Sequence, residues 1–219
     1  MKAVFFDAAD TLFHLPKGVG FHYARVAEKH GGYLSAEDLE RRFRTIWRAT
    51  PPAPETAGPR DDDDRGWWLA LLVRVFSDAP PTFNLDTCFP ALWEEFAQPG
   101  VWELFPETEE ILRALHGKVR IGIVSNFDTR IHRVLANLGI AKFFEHVIIS
   151  SEVGADKPSP RIFKVACEKF RIAPEDVLFV GDDPEADWLG ATDAGMKVFK
   201  LKRPGNDLRG VISLVTGEK

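Results

Sequence analysis

Five short apolar runs constrain the fold of this chain more than any other feature of its sequence. They are residues 4–6, 119–124, 146–149, 177–180 and 197–199. Runs of this length that are mostly apolar are typical of strands buried on both faces of a parallel sheet. Segments that precede or separate the later runs carry apolar residues at a spacing of three to four, which predicts helices over 108–115, 129–138, 160–170 and 186–194. Strands that alternate with helices predict an α/β core with a mostly parallel sheet.

The stretch of residues 16–99 is different, because it contains helical patterns but no convincing buried strand. The patterns cover residues 21–30, 36–47, 67–76 and 86–96. Ser35, followed by Glu37 and Asp38, is typical of a residue that caps the start of the second helix. We therefore predict two units, namely a core of residues 1–15 and 100–219 and an inserted, all-helical unit of residues 16–99.

Composition and charge exclude several classes of function. The net charge of −5 provides no global attraction to nucleic acid or to anionic membranes. No run approaches the length of a membrane span, and the first residues lack the apolar stretch of a signal peptide. Cys88 and Cys167 have no cysteine or histidine at metal-ligand spacing, which argues against a disulfide framework and a zinc site. We expect a cytoplasmic protein that binds neither nucleic acid nor membrane; its oligomeric state is unknown.

Polar side chains stand where three of the predicted strands end. Asp7 follows the first run, Ser125 the second, and the pair Asp182 and Asp183 the fourth, with Lys157 in an intervening loop. Open parallel sheets bind ligands beyond the carboxyl ends of their strands, so these side chains are the first candidates for a site. An aspartate can attack a phosphoryl group and form an aspartyl-phosphate. Since Mg²⁺ prefers oxygen ligands and is held by one or two carboxylates plus substrate phosphate, Asp7 and Asp182 are predicted to bind it.

Four segments of the chain carry a recognisable order of motifs. They are FFDAADTL at 5–12, VSN at 124–126, KPSPRIF at 157–163, and GDDPEAD at 181–187, which is followed by LGA and AGM. Together they resemble the four motifs of the haloacid dehalogenase-like hydrolase superfamily, whose first motif is DxDxT after an apolar strand. The resemblance spans nearly the whole predicted core.

The resemblance implies a Rossmann-like doubly wound parallel sheet with an inserted helical cap of the C1 type, which closes over the site and selects the substrate. It also implies a Mg²⁺-dependent phosphatase that acts on a small phosphorylated metabolite through an aspartyl-phosphate. The implied catalytic residues are Asp7 and Lys157. The implied metal ligands are Asp7, the backbone carbonyl of Ala9, Asp182, and Asp183 or Asp187. The implied phosphate contacts are Thr11, Ser125, Asn126 and Lys157.

One position departs from the family pattern. Phosphatases of the family carry a second aspartate two residues after the nucleophile, which protonates the leaving group, whereas this chain has Ala9 there. Loss of a general acid costs about 10²- to 10⁴-fold in rate, so activity persists where the leaving group is good. Asp10 is a hypothetical substitute. The departure also leaves open a catalytically silent relative that binds a phosphorylated ligand or a protein partner.

Two branches of the superfamily that also lack the second aspartate fit the chain less well. The phosphonate-cleaving branch generally uses a cap lysine to form a Schiff base, and the predicted cap offers only Lys17 and Lys29. Dehalogenases work without metal and usually lack an acidic pair in the fourth motif, whereas Asp182 and Asp183 are present here. A phosphatase therefore remains the leading interpretation.

Two further groups of residues have ordinary structural interpretations. The acidic run 61–64 precedes a predicted helix, and we expect it to solvate the N-terminus of that helix rather than to bind metal. The tryptophans of the helical unit have apolar neighbours at helical spacing, and we expect them to form its core rather than to stack on substrate. They are Trp47, Trp67, Trp68 and Trp93.

Overall fold

The computed structural model describes residues 1–217, and its centre is a parallel sheet. The seven strands of this part of the chain are β1 (Ala3–Phe6), β2 (Phe13–His14), β3 (Glu103–Leu104), β4 (Arg120–Ser125), β5 (His146–Ile149), β6 (Val177–Gly181) and β7 (Lys197–Lys200). Five of them form one sheet in the order β5-β4-β1-β6-β7, and every neighbouring pair is parallel. The predicted parallel α/β sheet is therefore confirmed. The sequence patterns did not predict β2 and β3, which pair antiparallel as a separate ribbon of two residues a strand.

The described part of the chain contains ten α-helices, of which the first four lie in the inserted segment and the other six follow β3. They are α1 (Gly18–Glu28), α2 (Ala36–Ala49), α3 (Arg65–Val75), α4 (Leu85–Glu95), α5 (Thr108–Leu115), α6 (Arg130–Asn137), α7 (Ser150–Val153), α8 (Pro160–Phe170), α9 (Gly190–Asp193) and α10 (Gly210–Thr216). None of the helices within residues 1–217 is both long and apolar enough to cross a membrane.

Alternate strand residues point to opposite sides of the sheet, and helices cover both of its faces. Val4 and Phe6 of β1 join one apolar cluster with residues of α5 and α6. Ala3 and Phe5 join another with residues of α8. The ring of Phe5 packs against that of Phe170 in a tilted arrangement, at a ring-centroid distance of 4.6 Å. Burial of each such side chain contributes roughly 1.5–3 kcal/mol, which accounts for the mostly apolar runs in the sequence.

The segment after β6 differs from the single α-helix predicted over residues 186–194. It begins as a π-helix, Pro184–Leu189, and continues as α9. The N–H of Trp188 donates to the carbonyl of Asp183, five residues earlier, at 3.1 Å. π-Helical turns are rare and occur mostly at functional sites, and local apolar spacing does not distinguish them from α-helix.

Helices α1 to α4 all lie within the predicted insertion, between β2 and β3. They pack around an apolar cluster of their own that includes Tyr23, Leu39, Leu72 and Leu92. Ser35 caps α2 as predicted, since its side chain accepts a hydrogen bond from the N–H of Asp38. The chain enters and leaves this helical unit through the β2–β3 ribbon.

The loop between α2 and α3 connects the helical unit to the core. The N–H of Thr56 donates to the carbonyl of Gly154 at 2.9 Å, and the N–H of Arg60 donates to that of Ser151 at 2.7 Å. The buried guanidinium of Arg60 lies between Asp64 and Asp156, at 3.1 and 3.2 Å. Asp156 directly precedes Lys157, so this ion pair joins the loop to the segment that carries a predicted catalytic residue.

The acidic run 61–64 has two roles, of which one was predicted. Asp62 accepts a hydrogen bond from the N–H of Gly66 at 2.8 Å and thus solvates the first turn of α3. The expectation that the run solvates the N-terminus of this helix was wrong for Asp63 and Asp64. Asp63 accepts from the N–H of Thr129 in the core at 3.0 Å, and Asp64 is buried against Arg60. Contacts between units decide these positions, and sequence spacing does not reveal them.

Replacement of Arg60 by alanine is expected to lower the free energy of unfolding by about 3 kcal/mol, because removal of one partner leaves buried carboxylates unpaired. For a chain of this size that corresponds to a fall in Tm of roughly 10 °C, measured by circular dichroism. The matched control is Arg113→Ala, since Arg113 makes an exposed pair with Glu109. Equal Tm values for the two variants would contradict a structural role for the buried pair.

Candidate active site

Asp7 lies at the point where the connections of the sheet diverge. It directly follows β1, and its N–H donates to the carbonyl of Val180 at 2.9 Å, which extends the pairing with β6 by one residue. Strands β4 and β6 flank β1 on its two sides. The carboxyl end of such a central strand is the crevice in which open α/β sheets bind ligands.

Lys157 connects Asp7 with Asp187 through its ammonium group. Its Nζ lies 2.6 Å from Oδ1 of Asp7 and 2.6 Å from Oδ1 of Asp187. The hydroxyl of Ser125 also donates to Oδ1 of Asp7, at 2.9 Å. Burial alone would lower the pKa of Lys157, but the two carboxylates outweigh it and raise that pKa above its ordinary value. The lysine is therefore a permanent buried cation beside Asp7.

Three carboxylates gather around this lysine. Asp7, Asp182 and Asp187 each place an oxygen within 4.8 Å of the other two. Burial, followed by the charge of Asp7, raises the pKa of Asp182 to about 7. Burial also raises the pKa of Asp187 to about 6, although Lys157 opposes the shift. One ammonium does not balance three carboxylates, so the donor set fits a hard divalent cation that takes oxygen ligands.

Gly181 allows this cluster to form. A Cβ at this position would lie only 2.2 Å from a carboxylate oxygen of Asp187. Any side chain here would therefore displace Asp187 and, through it, Lys157. The glycine before the acidic pair is a signal of close approach that the sequence contained and that our prediction did not use.

Asp183 and Asp187 occupy different positions, which the sequence had left open. Asp183 is exposed, and its Oδ1 accepts hydrogen bonds from the N–H groups of Glu185 and Ala186 at 2.8 and 2.7 Å. Its side chain thus caps the π-helix and is not part of the three-carboxylate cluster. The N–H of Asp183 donates to Oδ2 of Asp187 at 3.1 Å, which orients the buried carboxylate.

Two of the predicted phosphate contacts hold other parts of the site. The hydroxyl of the buried Thr11 donates to Oδ1 of Asp182 at 3.0 Å. The side-chain amide of Asn126 donates to the carbonyl of Lys157 at 3.0 Å and accepts from its N–H at 2.6 Å. Asn126 therefore fixes the backbone of the loop that carries the lysine.

The loop after β1 places Ala9 and Asp10 on a cavity. Asp10 has a φ of +60°, a left-handed conformation that aspartate tolerates better than most residues. Desolvation and the nearby charge of Asp7 raise its pKa. Both residues line a cavity of about 790 Å³ between the helical unit and the core, as does Lys157.

The tryptophans of the helical unit do not all form its core, contrary to our expectation. Trp93 is buried, but Trp47 is 45% exposed and Trp67 and Trp68 are half-buried. All four line the cavity. Helical spacing identified their apolar face correctly, but it could not indicate that part of this face is left open toward the carboxyl end of the sheet.

The fold and the cluster of catalytic-type side chains define a hydrolase built on a doubly wound α/β sheet. The family comparison makes this specific, because the model of the haloacid dehalogenase-like hydrolases matches residues 1–195. The chain belongs to this family, and the resemblance seen in the sequence motifs is confirmed.

Individual relatives agree with this assignment. The chain is 42% identical to a glyceraldehyde 3-phosphate phosphatase of Methanopyrus kandleri over 208 residues, which cover 93% of this chain and 84% of the relative. It is 30% identical over 203 residues to the haloacid dehalogenase-like hydrolase domain-containing protein 3 of Mus musculus, and the match covers 91% of this chain and 81% of the relative. A solved HAD-superfamily hydrolase of subfamily IA from Geobacter sulfurreducens superposes with a TM-score of 0.73 at 25% identity. The match covers 98% of this chain and 96% of that structure.

Proposed function

We propose that this protein is a Mg²⁺-dependent phosphatase of a small phosphorylated metabolite, with Asp7 as the nucleophile. The observation that carries the proposal is the buried contact of 2.6 Å between Lys157 and Asp7 beside two further carboxylates. A carboxylate held by a cation at the binding edge of the sheet is suited to attack an electrophile that carries negative charge. The 42% identical phosphatase of Methanopyrus kandleri supports a phosphate ester as the substrate.

The roles of the side chains follow from their contacts. A carboxylate oxygen of Asp7 attacks phosphorus, the bond to the alcohol oxygen breaks, and water then releases phosphate from the aspartyl-phosphate. Lys157 neutralises charge on the transferring group, and Ser125 orients Asp7 and contacts a phosphate oxygen. Thr11 and Asn126 act at the same edge of the site, where they hold Asp182 and the backbone of Lys157 in place.

The metal ligands in this proposal are Asp7, the backbone carbonyl of Ala9, and Asp182. Asp187 acts through water, since both of its oxygens already accept hydrogen bonds. Asp183 contributes by capping the turn that presents Asp187. When bound, Mg²⁺ supplies positive charge that lets the anionic nucleophile and the phosphate approach each other.

Magnesium is expected to stabilise the wild-type protein against heat. At a hundredfold excess over Kd the gain is about 2.7 kcal/mol, or roughly 5 to 10 °C in Tm, measured by differential scanning fluorimetry. Asp182→Asn should lose the magnesium-dependent rise while it keeps the Tm of the metal-free protein. Sodium chloride at matched ionic strength is the control. A wild-type Tm that magnesium does not change would contradict the metal site.

We also assign residues 16–99 to a cap of the C1 type, which is supported by the separate apolar cluster of α1 to α4 and by the cavity that they share with the core. The proposed division places residues 1–15 and 100–219 in the catalytic unit. A cytoplasmic location is proposed on the two free cysteines, Cys88 and Cys167.

A panel of phosphorylated metabolites that includes glyceraldehyde 3-phosphate tests the function directly. The expected result is release of inorganic phosphate that requires Mg²⁺. Binding of these compounds, measured by calorimetry, without any release of phosphate would contradict the phosphatase and support the silent binding protein instead.

A further inference from the structure

The cavity beside Lys157 is far larger than a phosphoryl group requires. Its volume of about 790 Å³ lies in the range of pockets that enclose whole organic ligands. Lys157 and the loop of Ala9 line it from the core, and residues of α2, α3 and α4 line it from the helical unit. A phosphate ester held at the lysine would therefore extend its alcohol portion toward the helical unit.

Three tryptophans form an aromatic cluster on this wall. Trp47 and Trp68 stack with ring centroids 5.5 Å apart and an interplanar angle of 24°. Trp67 lies edge-on to both, at centroid distances of 5.6 and 5.1 Å. All three remain partly exposed although they line a concave site. Indole surface of this kind is stabilised when a flat apolar group covers it.

Most of the charged side chains on the same wall are already paired. Arg44 donates to Glu40 at 2.8 Å. The buried Arg130 binds both carboxylate oxygens of Asp128, at 2.7 and 2.6 Å, and its guanidinium lies 3.6 Å from the ring centre of Trp93. A strongly charged alcohol portion would have to compete with these pairs. Arg48, which is exposed and lines the cavity, is the cation available to bind an anionic alcohol portion.

We infer that the substrate is a phosphate monoester whose alcohol portion carries an aromatic ring, bound against Trp47, Trp67 and Trp68. The inference rests on the proposed phosphatase function and specifies its substrate class. In the reaction Asp7 attacks phosphorus, the bonding electrons leave with the oxygen of the aromatic alcohol, and that oxygen takes a proton from water. Hydrolysis of the aspartyl-phosphate then releases phosphate and restores Asp7.

The test compares two esters with leaving groups of the same alkoxide class, 2-phenylethyl phosphate and n-butyl phosphate. We expect kcat/KM to be about tenfold higher for the phenylethyl ester, mainly through a lower KM. Trp47→Leu and Trp68→Leu should each bring the ratio of the two kcat/KM values close to one. Because Trp47 is exposed, its variant is expected to fold even if Trp68→Leu does not. The control is Tyr33→Leu, which removes an aromatic ring that is 75% exposed and is not part of the cavity wall.

A binding measurement separates this inference from the proposed function. Calorimetry with 2-phenylethylphosphonate and n-butylphosphonate, in the presence of Mg²⁺, reports affinity without any turnover. A Kd about tenfold lower for the phenylethyl compound, lost in Trp47→Leu, supports the aromatic site even if no ester is hydrolysed. Equal Kd values for the two phosphonates would overturn the inference. So would 3-phosphoglycerate binding more tightly than 2-phenylethylphosphonate in a way that depends on Arg48. In either case, hydrolysis of any ester would still support the phosphatase.

Discussion

Replacement of Asp7 by asparagine is expected to lower kcat by a factor on the order of 10⁴ or more, because a neutral amide cannot form the covalent intermediate. The substitution preserves the size of the side chain and its hydrogen bond from Ser125. Lys157 keeps Asp187 as a partner, so the buried ammonium is not left alone. The measurement is steady-state release of inorganic phosphate, with circular dichroism to establish that the variant is folded.

The matched control for this prediction is Asp193→Asn, the same chemical change at an exposed carboxylate on α9. It is expected to retain wild-type turnover. An Asp7→Asn variant that is folded and keeps more than about one hundredth of the wild-type kcat would exclude Asp7 as the nucleophile.

Introduction of aspartate at Ala9 should raise kcat by about 10²- to 10⁴-fold for alkyl esters such as n-butyl phosphate, since it supplies a general acid for the departing alkoxide. Ala9 is half-buried and lines the cavity, so the added carboxyl group has open space beside it. For 1-naphthyl phosphate the expected gain is small, because a naphtholate departs without a proton. The difference between the two substrates is the diagnostic measurement.

Ala9→Asn is the control for that experiment, because it adds nearly the same volume without an acidic proton. It should not accelerate either ester. Equal gains from Asp and Asn, or a gain of the same size for both esters, would mean that the new side chain acts through packing and not as an acid. No gain at all from Ala9→Asp would point to another donor, for which the neighbouring Asp10 is the first residue to test by substitution with asparagine.

Much of the core could be predicted from local patterns. Helices α5 and α8 have the predicted bounds, Thr108–Leu115 and Pro160–Phe170. Gly117 and Gly139, which lie just past the ends of α5 and α6, adopt φ values of +79° and +71°. Such signals are local, since an amphipathic repeat and a left-handed glycine act within one or two turns of the chain.

Other features exceed what local patterns encode. The β2–β3 ribbon has only two residues in each strand and is formed by segments about 90 residues apart in the sequence, so no periodicity marks it. The π-helix after β6 has apolar spacing close to that of an α-helix. It places the two carboxylates differently, since Asp183 caps its first turn and Asp187 is buried beside Lys157.

The sequence by itself predicted the five strands of the central sheet, most of the helices, and the residue types gathered at the strand ends, because burial periodicity and backbone preference are properties of short segments. It also predicts a two-unit organisation. Only the tertiary structure decided that Asp187 joins Asp7 and Asp182 while Asp183 does not, and that tryptophans of the helical unit line the cavity. These distances join residues far apart in the chain. They depend on how helices and strands pack, a property that no local pattern contains.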